Sequence, residues 1–223
     1  MAEKIAVIIP AFNEAPVLQD TVASVRRVSP TATIVVVDDG STDGTQAVAY
    51  ACADVVLSHR KNCGLGAAIM TGLEYAKREG YTSCITFDAD GQHDAADIPH
   101  ALQKITDGYD VVVGSRFRGS HSGMPRARRF VLLAGNIVTF LFFGVWTSDS
   151  QSGFRAFSRR AIETIYLKSN RMEVSSELYG EIHRLHLKYT EIPIHIRYTK
   201  YSLGKGQRNA NGLKILLKLL YRL

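Results

Sequence analysis

Five short apolar runs, at residues 5–9, 33–37, 55–57, 83–87 and 110–113, constrain the fold of this chain more than any other feature. They are β-branched or apolar, as strands covered on both faces of a parallel sheet must be. The stretches between them carry helical spacing. Val17, Leu18, Thr21, Val22 and Val25 share one face, and Leu65, Ile69, Leu73 and Ala76 share another. This alternation predicts an α/β, Rossmann-like fold with a mostly parallel central sheet and helices on both faces. A length of 223 residues, 46% hydrophobic, suits one sizeable α/β domain or two very small ones.

Polar residues collect where the strands end: Pro10 after the first, Asp38-Asp39-Gly40 after the second, Asp88-Ala89-Asp90 after the fourth. That is the carboxyl edge, where open α/β sheets bind ligands. In an extended backbone, side chains i and i+2 leave the same face, so Asp88 and Asp90 can converge on one cation. A hard divalent ion held by one or two carboxylates keeps open positions that substrate phosphates fill. Residues 61–66, Lys-Asn-Cys-Gly-Leu-Gly, precede a helical pattern and allow close backbone approach to an anion. They lack the Gly-Lys-Ser/Thr ending of a P-loop and the full glycine spacing of a dinucleotide site, which argues against an NTPase and a dehydrogenase.

Three cysteines without paired spacing give no disulfide framework or zinc site, and no signal-peptide pattern opens the chain, so a reducing cytosolic setting is expected. A formal net charge of +6 points to an anionic partner, yet no aromatic-interleaved basic stripe speaks for nucleic acid. The second half is less regular. Residues 119–123 read as a small polar loop, followed by Arg126, Arg128 and Arg129 and an uncharged run at 130–146. That run falls short of the ~20 residues of a spanning helix and contains Gly135, Asn136 and Thr139, so a core or interfacial helix is expected. Residues 212–223 form a basic amphipathic pattern, to be docked on the core or laid on a membrane surface.

Five segments stand in a telling order. They are Ile9-Pro10-Ala11-Phe12-Asn13-Glu14, residues 36–45 around Asp38-Asp39-Gly40-Ser41-Thr42-Asp43-Gly44, Asp88-Ala89-Asp90-Gly91-Gln92-His93, Gly114-Ser115-Arg116 and Ser152-Gly153-Phe154-Arg155. Together the chain resembles the family-2 inverting glycosyltransferases, in the polyprenyl-phosphate (dolichol-phosphate mannose synthase-like) branch, from residue 5 to about 205. The resemblance implies a GT-A fold in one catalytic domain, with a nucleotide-binding half (1–115), an acceptor half (116–205) and the C-terminal helix (206–223). It implies a nucleotide-sugar donor bound with Mg²⁺ or Mn²⁺ and transfer to a polyprenyl phosphate at the cytosolic membrane face, with peripheral membrane contact. A homo-oligomer is compatible with it.

Residue by residue, the resemblance places donor contacts at Pro10, Phe12, Glu14, Asp38, Asp39, Asp88, Ala89, Asp90 and Lys205. Phe12 offers a ring face to a base, and Glu14 an acceptor for ribose or base, unless it merely caps the next helix. Asp39 is matched to the base imino hydrogen, with Asp38 bracing the loop. Ser41, Thr42 and Asp43 are read as caps of the following helix. Asp88, Asp90 and Gln92 form the expected metal set, and His93 supports them, with direct ligation as the alternative. Arg116, Arg128, Arg155 and Lys205 are candidate phosphate binders, Arg116 and Arg128 toward the acceptor, with Lys200 assisting Lys205. Many relatives carry Ser-Lys where this chain has Gly204-Lys205 followed by Gly206-Gln207. Asp149 orients the acceptor, or acts as base if the acceptor is a hydroxyl. Two rivals remain at this point: a same-fold transferase acting on a glycan or small-molecule hydroxyl, and a non-catalytic nucleotide-sugar-binding protein.

Overall fold

The five apolar runs become the first five strands: β1 (Ile5–Ala11), β2 (Thr33–Asp38), β3 (Val55–Ser58), β4 (Ser83–Thr86) and β5 (Val111–Ser122). The structure, a computed structural model, describes residues 3–122, 124–199 and 201–202. The expectations for Lys200, Lys205 and the C-terminal helix lie outside the described residues. Helices α1 (Ala15–Val28), α2 (Thr45–Cys52), α3 (Leu65–Arg78) and α4 (Ile98–Thr106) fill the intervals. After β5 come α5 (Arg126–Phe143), β6 (Arg155–Ser158), α6 (Arg159–Thr164), α7 (Val174–Arg184) and β7 (Tyr189–Arg197).

The sheet has seven strands in the order β3-β2-β1-β4-β6-β5-β7. β6 runs antiparallel to β4 and β5, and every other pairing is parallel. Alternating side chains send each strand into two cores. Val35 and Val37 of β2 join Ile69 and Leu73 of α3 and Leu178 of α7. Ile34 and Val36 pack on the other side with Leu18 and Val22 of α1 and Ile98 of α4. Both faces of the sheet are therefore covered, as the uniformly apolar strands require.

Residues 119–122 are not the loop that their composition suggests. They continue β5, pairing Ser120–Ser122 with His195–Arg197 after a register shift that begins at Ser115. Gly119 permits this, because a Cβ there would lie 2.1 Å from the Ile194 carbonyl oxygen. β7 is the edge strand and tolerates Pro193, which has no ladder N–H to give. Its buried residues Ile192, Ile194 and Ile196 alternate with exposed ones, so only one face meets the core.

Candidate active site

The carboxyl ends of β1, β2 and β4 meet along one edge because the three strands are neighbours and parallel. Asn13 turns the chain after β1 with φ 56°, a left-handed conformation that asparagine accepts. Its amide donates to Ser41 Oγ, and its Oδ1 accepts from the Thr42 amide at 2.8 Å. Asp43 Oδ1 accepts from the Thr45 amide at 2.9 Å, while α2 is capped by Gly44 with no side-chain cap bond. Residues 41–43 thus serve mainly to lace the β2–α2 loop to the β1–α1 loop; the capping expected of them reduces to Asp43. Glu14 makes no side-chain cap bond to α1; its Oε2 accepts from Tyr201 at 2.8 Å. Pro10 lies within β1 opposite Val37, and Phe12 is 39% exposed beside it.

Asp38 is buried and its Oδ1 accepts from the Ser41 amide, so it braces this loop. Asp39, equally buried, gathers the 61–66 loop. Its Oδ1 takes the Cys63 amide and the His59 ring, and its Oδ2 takes the Gly64 amide at 2.7 Å. Gly64 has φ 104°, and a Cβ there would stand 2.3 Å from the Asn170 carbonyl oxygen, so the loop is clamped from both sides. Ligand-type atoms of Asp39, His59 and Cys63 come within 4.8 Å of one another. Both ring nitrogens of His59 are engaged, one by Asp39 and the other by Thr71, so this cluster is wired internally.

Asp88 and Asp90 follow β4 on one buried rim. Asp88 Oδ2 pairs with His93 Nε2 at 3.0 Å, its side chain 34% exposed and that of His93 3%. The His93 ring packs against Phe87 and Phe154. Gln92 donates twice to Asp90, from its backbone amide and from its side-chain amide at 2.6 Å. Ala89, between the acids, is buried and its carbonyl accepts from Thr21. Burial alone would raise Asp88, but the hydrogen bond and charge of His93 and the charges of Arg155 and Arg116 hold it below the usual carboxylate range. Asp90 behaves oppositely: burial and the adjacent Asp88 charge push it up to about 6. Two half-buried carboxylates that resist joint ionisation are a donor set suited to a hard divalent cation, and Mg²⁺ or Mn²⁺ fits it.

That repulsion has a measurable sign. Asp90 sits above its ordinary 3.8, so its contribution to folding is present below about pH 4 and lost as pH rises past about 6. Asp88, held low, is already ionised over this interval. In EDTA the melting temperature should fall across this interval by more in the native chain than in Asp90→Asn, and Mn²⁺ should restore it only in the native chain.

Gly153 backs directly onto Asp88, where an added Cβ would lie 2.1 and 2.2 Å from the two carboxylate oxygens. Its carbonyl is fixed by Thr86 Oγ1 at 2.8 Å, so the backbone cannot easily retreat. Gly153→Ala should cost about 1–3 kcal/mol of stability and swing Asp88 out of place. Calorimetry should then show divalent-ion binding weakened far more than the fold.

Beyond the carboxylates lies a chain of charges. Asp149, fully buried, accepts on Oδ2 from the backbone amide and Nε of Arg116, at 3.0 and 2.6 Å. Arg116, 5% exposed, also donates Nη1 to the Tyr198 hydroxyl at 3.0 Å and Nη2 to the Gln151 carbonyl. The Arg128 guanidinium sits 5.0 Å over the Tyr198 ring. Tyr198 thus joins the two arginines that the sequence placed apart. Arg155, expected as a phosphate binder, is 1% exposed on β6 and donates Nη2 to Ser175 Oγ. Its charge acts on Asp88 from beneath.

The loop carrying Asp149 is held by residues that sequence reasoning missed. Glu191 accepts from the Ser148 amide and hydroxyl, Thr147 and Tyr189, and pairs with Arg118 at 2.8 Å. Asn136 of α5 donates to the Ser148 carbonyl and accepts from the Ser150 amide. The available signal was Asn136 and Thr139, three residues apart in the apolar stretch that follows Arg129, two polar positions on the buried side of α5 beside Leu132.

Residues 6–166 match the sequence profile of Glycosyl transferase family 2. The chain is 34% identical to the UDP-N-acetylglucosamine--dolichyl-phosphate N-acetylglucosaminyltransferase of Methanococcus voltae, over 99% of this chain and 96% of that one. It is 35% identical to the polyprenol monophosphomannose synthase of Mycolicibacterium smegmatis, over 75% of this chain and 66% of the other. In fold it resembles glucosyl-3-phosphoglycerate synthase of Mycobacterium tuberculosis, solved with Mn²⁺, UDP and glucosyl-3-phosphoglycerate. The TM-score is 0.64 at 18% identity, covering 97% of this chain and 80% of that one.

Proposed function

Because the chain belongs to glycosyl transferase family 2, in its polyprenyl-phosphate branch, and is a glycosyltransferase of GT-A fold, we propose that it moves a sugar from a nucleotide-sugar to a polyprenyl phosphate. The donor is of the GDP-mannose or UDP-glucose type and the acceptor a dolichyl or undecaprenyl phosphate, met at the cytosolic face of a membrane. The observation that carries this reading is Asp88, adjoining Asp90, in electrostatic reach of Arg116, which is itself paired with the buried Asp149.

Phe12 covers the base and Glu14 meets the ribose or base edge. Asp39 keeps one acceptor position on Oδ2, beside its Gly64 bond, for a base N–H. Asp88 and Asp90 hold the divalent ion, with His93 and Gln92 fixing the two carboxylates. When bound, that ion supplies a Lewis acid for the donor diphosphate. The acceptor phosphate, anionic at neutral pH, needs positioning and charge neutralisation more than a general base. Arg128, with Arg116 behind Tyr198, supplies them. Three arginines (126, 128 and 129) in the first turn of α5 oppose the helix dipole, a cost that an anion bound there would offset. The acceptor oxygen attacks the anomeric carbon in line, the bond to the diphosphate breaks, and the configuration inverts. Asp149 positions Arg116, accepting on Oδ2 from its backbone amide and its Nε.

The test is transfer from a panel of UDP- and GDP-sugars to a short-chain polyprenyl phosphate, with Mn²⁺ or EDTA. One donor should give a phosphate-linked sugar that EDTA abolishes. Transfer only to free hydroxyls would overturn the reading. Tyr198→Leu should raise KM for the acceptor about tenfold or more, by removing a hydrogen bond to a charged group worth ~1.5–3 kcal/mol, and leave donor KM unchanged.

A further inference from the structure

Asp39, His59 and Cys63 come from three places that the parallel sheet brings together: just after β2, just after β3, and the loop before α3. A carboxylate oxygen, a ring nitrogen and a sulfur of this set lie within 4.8 Å of one another. Asp39 is buried and the other two are half-buried, so an ion can enter from solvent. Paired cysteine spacing gives no hint of this cluster. His59 and Cys63 do enclose three residues, a separation at which one loop supplies two ligands to a metal ion.

Each donor is held from behind. Thr71 Oγ1 on α3 meets His59 Nε2 at 2.9 Å, which fixes the ring with Nδ1 toward Asp39. The His59 amide donates to the Asp38 carbonyl at 2.9 Å. Asp39 takes the Cys63 and Gly64 amides, and the Asn170 carbonyl closes on Gly64 from the other side. Metal-bound histidines ordinarily have their second ring nitrogen engaged in this way. Ligand atoms around a tetrahedral zinc ion stand about 3.3–3.8 Å apart, so closing this set takes about 1 Å of side-chain movement. Sulfur and imidazole nitrogen favour zinc, whereas the oxygen donors of Asp88 and Asp90 suit magnesium or manganese.

We propose that Asp39, His59 and Cys63 form a zinc site distinct from the Asp88–Asp90 pair. Zn²⁺ takes the place of the proton between Asp39 and His59, binds the Cys63 sulfur as thiolate, and carries water in its fourth position. The displaced protons go to solvent. The ion then stands on the carboxylate proposed above to read the donor's base, so occupation shuts the base out. That consequence rests on the proposed function; the binding itself is measured without donor or acceptor.

The experiment is calorimetric titration of the full chain with Zn²⁺, repeated with Asp90→Asn, to weaken the carboxylate site, and with Cys63→Ser. Co²⁺ serves as a parallel probe, because a sulfur ligand gives it a near-ultraviolet charge-transfer band. Asp90→Asn should keep one tight zinc ion and the Co²⁺ band. Cys63→Ser retains a hydroxyl for the Lys61 carbonyl and should melt in EDTA as the native chain does. It should lose the band and bind that zinc at least about 100-fold more weakly, since losing a ligand exceeds the 10–100-fold cost of losing a support behind one.

A native chain without the band would overturn the proposal with no variant needed. So would zinc binding that survives Cys63→Ser and disappears in Asp90→Asn, since the carboxylate pair would then be the zinc site. With Mn²⁺ saturating, Zn²⁺ should raise the donor KM of the native chain and not of Cys63→Ser. If the band depends on Cys63 but the donor KM does not move, the zinc site stands and the base contact given to Asp39 fails.

Discussion

Asp90→Asn is expected to lower sugar transfer about 10²–10³-fold, the usual effect of deleting one preorganised electrostatic group from a transition-state site. The same substitution should make the metal-free protein more stable near neutral pH. Asp90 is pushed up to about 6 by burial and by Asp88, so ionising it in the empty site opposes folding. An amide keeps the shape, can still bond to Gln92, and carries no charge to repel Asp88. Loss of activity with a raised melting temperature is the signature of a residue kept for its function. Steady-state kinetics and thermal melts in EDTA check it, and a variant that is inactive because it is unfolded would contradict it.

The second large effect falls on the acceptor side. Asp149→Ala should destabilise the fold by about 3–5 kcal/mol, because it leaves the Arg116 guanidinium buried with no counter-charge. It also removes the acceptor of the Arg116 backbone amide, and the Tyr198 and Gln151 bonds are then the remaining restraints on that side chain. Denaturant unfolding at pH 7 measures the cost. If Asp149 served as a general base, its removal would reduce turnover and leave stability largely intact. The two roles are therefore separated by one unfolding curve.

The parallel half of the fold was legible because its strands are buried on both faces and so read as unbroken apolar runs. β6 escaped notice because four residues beginning with arginine look like a phosphate motif. Yet Arg155 is drawn into the sheet between Asp88, Asp149 and Ser175, and only tertiary contacts make that burial tolerable. β7 was visible in principle through the alternation of Ile192, Ile194 and Ile196, a period of two that Pro193, a residue disfavoured inside strands, obscured. In the site, Asp88 and Asp90 follow β4, which ends at Thr86, and residues 89–90 form a turn, so the turn and not the alternation of an extended strand sets their relation. What spacing could not reveal was the support behind them. His93 reaches Asp88 beside the Phe87 and Phe154 rings, Gly153 sits against the same carboxylate from the loop before β6, and Tyr198 links Arg116 to Arg128 across the chain. Such contacts are set by strand order, above all by β6 inserted between β4 and β5.

The most direct measurement is anomalous diffraction at the manganese edge from crystals of the full chain grown with Mn²⁺ and a nucleoside diphosphate. A single strong peak between Asp88 and Asp90, touching the diphosphate, is the expected result. A peak at the Asp39–His59–Cys63 cluster instead, with the carboxylate pair bare, would contradict the assignment of the site.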